Sequence, residues 1–296
     1  MNFPFQIFSP EEQVIDSRLK DKDISLYIKR DDKIHPFISG NKWRKLKHQL
    51  EFTKNQNINH LVTFGGTWSN HLLATAAASA QFGFRATGYV RGEEVNNPVL
   101  DMCRLFGMDL RFVDRESYRD KINIFSTNHS HEESHFIDEG GKSDLGLKGC
   151  SEIIEELEQD YDHIFVASGT GTTVAGIQLG VQQKGLKTIV HSVPVLKNAE
   201  FLNSTFQCWG IAPNQIILHL DYHFSGYAKV KPNLIAFIKS FVSSTGIMVE
   251  PTYTGKLMYA VYDLIEKGFF APKSKILVIH TGGITGLLGH LHHFDR

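Results

Sequence analysis

Short runs of β-branched and aromatic residues recur along the chain: SLYIKR from residue 25, HLVTFG from 60, RATGYVR from 85, DLRFVD from 109, HIFVAS from 163, TIVHSVP from 188, IILHL from 216 and KILVIH from 275. Between them lie segments whose apolar residues return at helical spacing. GNKWRKLKHQLEFTKN reads as a helix opening at a Gly-Asn turn, SNHLLATAAASAQFG as one opening at a Ser cap, and TTVAGIQLGVQQKG as a third. Strand followed by helix, repeated, predicts an α/β fold with parallel sheets covered by helices on both faces. In such sheets a ligand sits at the carboxyl ends of the strands.

No internal repeat or low-complexity linker marks a boundary. The stretch from about 120 to 145, with NHSHEESH and the turn-rich EGGKSDLGLKG, is the best place for the chain to cross between domains. That divides it into a large domain of residues 1–55 and 145–296 and a small one of residues 56–144. His129, His131 and His135 alternate in this polar stretch, a spacing that reads as solvated surface rather than a metal site.

Composition narrows the function. A chain of 296 residues has room for one or two domains and a substantial core. Lys plus Arg number 31 and Asp plus Glu 32, so no net field draws the protein to nucleic acid or anionic lipid, and a small ligand is expected. The N-terminus lacks a basic segment leading into an apolar run, and no apolar stretch of about 18 residues occurs, so neither export nor membrane insertion is expected. Cys103, Cys150 and Cys208 are odd in number and widely spaced, which fits buried thiols in a reducing cytoplasm.

Four segments combine glycines at strand or helix ends with polar side chains: SGNKWRK (39–45), GGTWSNH (65–71), SGTGTT (168–173) and HTGG (280–283). SGTGTT joins a strand to a helix, where backbone N–H groups and the hydroxyls of Thr170, Thr172 and Thr173 converge as a phosphate would require. Read without a ligand, it is a tight turn. Gly169 and Gly171 begin a GxGxxG pattern, but Val174 takes the third glycine's place and no GxxxxGK[ST] occurs, which disfavours a dinucleotide or Walker nucleotide site. Ser69 alone is an ordinary helix cap. Lys42, followed by Arg44, Lys45 and Lys47, alone reads as part of a basic solvated face.

Together and in this order, KRDD (29–32), SGNKWRKL (39–46), TFGGTWSNHLLATAA (63–77), ASGTGTTVAG (167–176), PTYTGK (251–256) and HTGG resemble one family. It is the tryptophan-synthase-β-like pyridoxal-phosphate enzymes that include aminocyclopropane-carboxylate deaminase and D-cysteine desulfhydrase. The resemblance implies that Lys42 is the Schiff-base lysine, that Asn70 meets the cofactor's phenolic oxygen, and that Ser168, Gly169, Thr170, Gly171, Thr172 and Thr173 hold its phosphate. It places Ser69 at the substrate carboxylate or in proton transfer and Tyr253 against the substrate. Tyr227 transfers less directly, because FSGYAKV departs from the family spacing. Trp68, Ser69, Asn70, His71 and Tyr253 would line the substrate pocket. A homodimer and a small amino-acid substrate follow from the same resemblance.

Two positions divide the family. Deaminases carry an acid after the tyrosine and a Leu before the final glycine pair, whereas this chain has Thr254 and Thr281. A hydroxyl at the cofactor's ring nitrogen makes a weaker electron sink than a carboxylate, which suits β-elimination better than opening a cyclopropane. D-Cysteine desulfhydration is therefore the expected reaction, with cyclopropane deamination, racemisation and β-replacement behind it. A non-catalytic carrier or sensor of the cofactor is the alternative of another class. Trp68, where the motif usually has Gln, is a departure that bears on the substrate.

Overall fold

The computed structural model describes residues 5–294. The chain opens with β1 (Glu11–Gln13), β2 (Ile24–Lys29) and α1 (Asn41–Asn55), then runs through β3 (His60–Gly65), α2 (Asn70–Phe82), β4 (Arg85–Arg91), α3 (Pro98–Leu105), β5 (Asp109–Val113), α4 (Lys121–Asn128), β6 (Ser134–Ile137) and α5 (Asp144–Glu155). It continues with β7 (His163–Ser168), α6 (Thr172–Gln183), β8 (Ile189–Pro194), α7 (Phe201–Cys208), β9 (Ile216–Leu218), α8 (Pro232–Thr245), α9 (Thr254–Glu266) and β10 (Ser274–Ile279).

The strands form two sheets, ordered β1-β2-β10-β7-β8-β9 and β5-β4-β3-β6. Every pairing is parallel except that of β1 with β2. Alternate residues of the larger sheet feed opposite cores, as the period of two requires. Phe165, Val193, Ile276 and Val278 pack with Phe241 of α8 and Leu257 and Val261 of α9, while Ile164, Val166, Leu277 and Ile279 pack with Ile153 of α5 and Ile177 of α6.

Helix α2 serves the smaller sheet. Its Ala74, Ala77 and Ala78 meet Trp43, Leu46 and Leu50 of α1, and its Leu72, Leu73 and Ala76 meet α3. A helix buried on two sides needs small side chains, which accounts for the alanine run.

Helix α1 touches both sheets' surroundings. Its apolar side joins Leu61 and Ile137 of the smaller sheet, and its other side lies on α5 so closely that a Cβ on Gly149 would stand 1.8 Å from the Arg44 carbonyl oxygen. The turn-rich EGGKSDLGLKG therefore ends as a helix. Ser143 caps α5 by accepting from the Gly146 N–H at 2.9 Å, and its glycines let neighbouring backbone approach.

The expectation of a basic solvated face on α1 is overturned. Arg44 is buried and bonded to Asp31 at 2.8 Å and to Glu156, and Lys45 is buried as well. Cys103 and Cys150 are buried as expected, but Cys208 is exposed at the end of α7. The three histidines also differ from the solvated picture: only His131 is exposed, while His129 Nε2 lies 3.0 Å from the Tyr89 hydroxyl and His135 Nε2 2.6 Å from Gln49 Oε1. Among the described residues no helix is long and apolar enough to cross a membrane.

Candidate active site

The SGNK and HTGG turns are locked together. Gly40 has φ +61°, and a Cβ there would stand 1.9 Å from the Thr281 carbonyl oxygen, so only glycine fits. The Asn41 N–H donates to that same oxygen at 3.2 Å, which fixes the first turn of α1 against the end of β10. Lys42 leaves this turn with Nζ 2.8 Å from Asn41 Oδ1, and the Asn41 amide donates from its other end to Thr173 Oγ1 at 2.8 Å. One side chain thus ties the lysine to the start of α6.

Burial pushes the Lys42 amine down to about 7, and the charge of Lys45 beside it acts in the same direction. Lys45 Nζ donates to the Gly140 carbonyl at 2.9 Å, and burial lowers its pKa too. Among the described residues no carboxylate forms an ion pair with either amine. Two lysines one helical turn apart, neither paired with a carboxylate, form a site suited to a negatively charged ligand.

The other half of that site is the N-terminus of α6. Gly171 stands there at φ +85° as a cap with no side chain, leaving the first-turn N–H groups open to an acceptor. Thr172 and Thr173 are buried beside it, and Thr170 Oγ1 lies 3.4 Å from Thr172 Oγ1. Gly140, whose carbonyl holds Lys45, adjoins Thr170: a Cβ on it would be 3.3 Å from Thr170 Cγ2. Lys45, the glycine turn and the helix terminus suit a phosphate group.

At the start of α2, Ser69 Oγ accepts from the Leu72 N–H at 3.2 Å, so it is a cap whose own proton can still be donated. Asn70 Oδ1 accepts from Thr285 Oγ1 at 3.2 Å, and its amide nitrogen lies 2.6 Å from where a Cβ on Gly283 would be. Thr63 Oγ1 donates to the Ile137 carbonyl and so accepts from His71 Nε2 at 2.9 Å, leaving His71 Nδ1 as an unpartnered acceptor. Burial, with Lys42 and Lys45 nearby, holds the His71 ring neutral.

Tyr253 reaches the phosphate loop, its hydroxyl 3.4 Å from a Cβ placed on Gly169, and the Tyr227 ring meets it edge-on at 5.8 Å. Burial raises the pKa of the Tyr253 phenol, whereas Tyr227 is 43% exposed. Glu250, buried, accepts from the N–H groups of Thr252, Tyr253 and Thr254 at 2.7, 2.7 and 2.8 Å and so caps α9. The Thr254 hydroxyl accepts from the Glu250 N–H at 2.9 Å and donates to its carboxylate at 3.3 Å. Thr281 is buried in the HTGG turn.

Two expected residues turn elsewhere. Ser168 Oγ pairs with Ser192 Oγ at 2.6 Å inside the sheet. Trp68 lays its indole over Gly289, 37% exposed, and of the residues expected to line the substrate pocket only Asn70 borders the cavity of about 400 Å³ formed with Lys42, Ser39, Phe37, Ile284 and Leu287, whereas Trp68, Ser69, His71 and Tyr253 do not.

The family profile of pyridoxal-phosphate dependent enzymes matches residues 13–282. The chain belongs to that family. Its cofactor is pyridoxal phosphate, which the buried lysine pair and the glycine-capped helix fit. The enzyme is 32% identical to a bifunctional D-cysteine desulfhydrase/1-aminocyclopropane-1-carboxylate deaminase of Arabidopsis thaliana, over 88% of this chain and 73% of that protein. It is 27% identical to a D-cysteine desulfhydrase of Klebsiella pneumoniae, over 90% and 89%. A crystal structure of an aminocyclopropane-carboxylate deaminase homologue superposes with a TM-score of 0.84 at 26% identity, covering 98% of this chain and 93% of the other.

Three residues of this candidate site carry no clear signal in the sequence. In the sequence Asn41 shows only as part of a turn and Lys45 as part of a basic face, and Glu250 carries no motif. The signal for Lys45 was its spacing, three residues after Lys42 and therefore on the same side of a helix.

Proposed function

We propose that the enzyme eliminates the β-substituent of a small amino acid, with D-cysteine converted to pyruvate, sulfide and ammonia with uptake of one water. Bound pyridoxal phosphate supplies the electron sink for a carbanion at Cα. Lys42, near neutrality because it is buried, is the amine that takes the α-proton. The start of α2, with its open N–H groups and the Ser69 hydroxyl, receives the substrate carboxylate. Tyr253, held un-ionised by burial, offers a proton to the departing thiolate in this reading. The same reading carries a small domain of residues 56–144 and a homodimer.

The observation that carries the choice of substrate is Thr254. At the start of α9, where an acid would make the stronger electron sink, the chain presents a neutral hydroxyl already engaged with Glu250. Expelling thiolate asks for less carbanion stabilisation than opening a ring without a good leaving group. Glu250 itself favours the deaminase alternative, since it brings a carboxylate close to this position, though its oxygens are occupied by three backbone N–H groups.

Keto-acid production from D-cysteine, L-cysteine, D-serine, β-chloro-D-alanine and the cyclopropane amino acid tests the reading. We expect pyruvate and sulfide from D-cysteine with kcat/KM more than about tenfold above that for the cyclopropane, a gap of about 1.4 kcal/mol at the transition state. Faster release of ketobutyrate from the cyclopropane would reverse the assignment.

A further inference from the structure

The last residue of PTYTGK, Lys256, lies outside the chemistry above, yet it is fully buried in the first turn of α9. Among the described residues no carboxylate forms an ion pair with it. Its ammonium instead donates to two backbone carbonyls of one loop, that of His223 at 3.0 Å and that of Gly226 at 2.8 Å. Those carbonyls are the anchors of two successive turns, because the Gly226 N–H donates to His223 at 3.0 Å and the Lys229 N–H to Gly226 at 3.2 Å.

The loop needs such an anchor. Phe224, Ser225, Gly226 and Ala228 all have positive φ, at 51°, 75°, 118° and 54°. Left-handed backbone is strained for a residue with a Cβ, and three of these four have one. Phe224 is buried with its ring edge-on to Tyr259 at 4.9 Å, which secures the loop's entrance. Among the described residues Tyr227, between Gly226 and Ala228 and 43% exposed, is held by the lysine clamp behind it and the edge contact with Tyr253 in front.

We propose that Lys256 is a positioning residue that holds Tyr227 against Tyr253 by clamping the carbonyls of His223 and Gly226. It acts through the loop and touches no reacting atom. Burying a bare ammonium is costly, and two carbonyls that would otherwise lack a second donor compensate it. The inference rests on the functional reading above for the roles of Tyr227 and Tyr253, but the clamp itself is a statement about the loop.

The holoenzyme tests it with Lys256→Met, which keeps the side chain's bulk and removes its donors. Hydrogen exchange over residues 222–230 is expected to quicken at least about tenfold, and tryptic cleavage after Lys229 to follow it, with the exchange of β7 and α6 unchanged. Turnover should fall in kcat more than in KM. Lys256→Met combined with Tyr227→Phe should be no slower than the slower single variant, since both remove the same contribution. Should Lys256→Met fail to fold, the same comparison is made with Lys256→Gln, whose amide keeps donors but is too short for both carbonyls. Unchanged loop exchange, or losses of the two variants that multiply, would overturn the proposal. If the wild-type enzyme turns over none of the amino acids tested, the functional reading fails, and the exchange measurement still decides the clamp.

Discussion

A lysine amine attacks or accepts a proton only in its neutral form, and near neutral pH an ordinary lysine is almost wholly charged. Lys42 escapes this through burial beside a second buried cation, which brings it to about 7. Purified enzyme should therefore absorb in the visible, and Lys42→Ala should abolish that band. Borohydride reduction and peptide mapping should find the label on Lys42, and a label on Lys45 would exchange the two residues' roles. Lys45→Met should leave the label in place but weaken cofactor retention about tenfold to a hundredfold, the range for losing one charge-assisted hydrogen bond. This pair was only half legible in the sequence. Lys42 stood out by its motif, whereas KWRK carries the same charges whether it faces water or α5. The packing of Gly149 on the Arg44 carbonyl and the acids Asp31 and Glu156, 13 and 112 residues away from Arg44, decide which.

At the scale of elements, the strand-to-helix turn at Gly171 controls the phosphate site. It sits at φ +85°, and an added Cβ would come within 2.9 Å of Leu202 Cδ2 and 3.0 Å of Phe206 Cε1 on α7. Gly171→Ala should destabilise the fold by roughly 1–2 kcal/mol through the left-handed backbone and lower cofactor affinity at the same time. Thermal unfolding with and without saturating pyridoxal phosphate separates the two effects. A folded variant whose melting temperature rises with cofactor as much as the wild type's would show that this turn is no cradle. All eight strands expected from the apolar runs are present, and even β9, only three residues long, shows because it lies in the apolar run IILHL. The two that escaped, β1 and β6, are only three and four residues and mostly half exposed. Helix α5 escaped for the opposite reason. Its glycines mimic a loop locally, and their purpose becomes visible only once Arg44 and Gly141 are set against them.

Across the whole molecule, acid stability should be set by histidines that the sequence shows only as a count. His163 Nδ1 lies 2.9 Å from His191 Nε2, and His191 Nδ1 lies 3.0 Å from His219 Nε2, a chain of imidazoles crossing β7, β8 and the end of β9. Phe165 stacks on His191 at 4.1 Å and 1°, so the middle ring has no access to water. Burial pulls His191 down to about 2 and His219 to about 4, and elsewhere it takes His60 and His135 to about 4. The sign follows from linkage. Below its ordinary value of 6.5 the unfolded histidine binds a proton that the folded one refuses, so stability falls as the pH drops from about 6.5 toward 4. Other groups act in different windows. Lys42, depressed to about 7, makes its difference between there and the usual lysine range, and carboxylates held low by their partners, such as Glu12 and Asp263, act only below about 4.5. Apoenzyme melting temperatures should therefore decline between pH 6.5 and 4.5, before the carboxylates titrate. Replacing His191 with Phe, which keeps the stack on Phe165 and removes the base, should flatten that decline while costing stability at pH 7.5 through the two lost hydrogen bonds. A melting temperature level from pH 7.5 to 5 in the wild type, or a decline equally steep in the His191→Phe variant, would show that this imidazole chain does not set the acid limit.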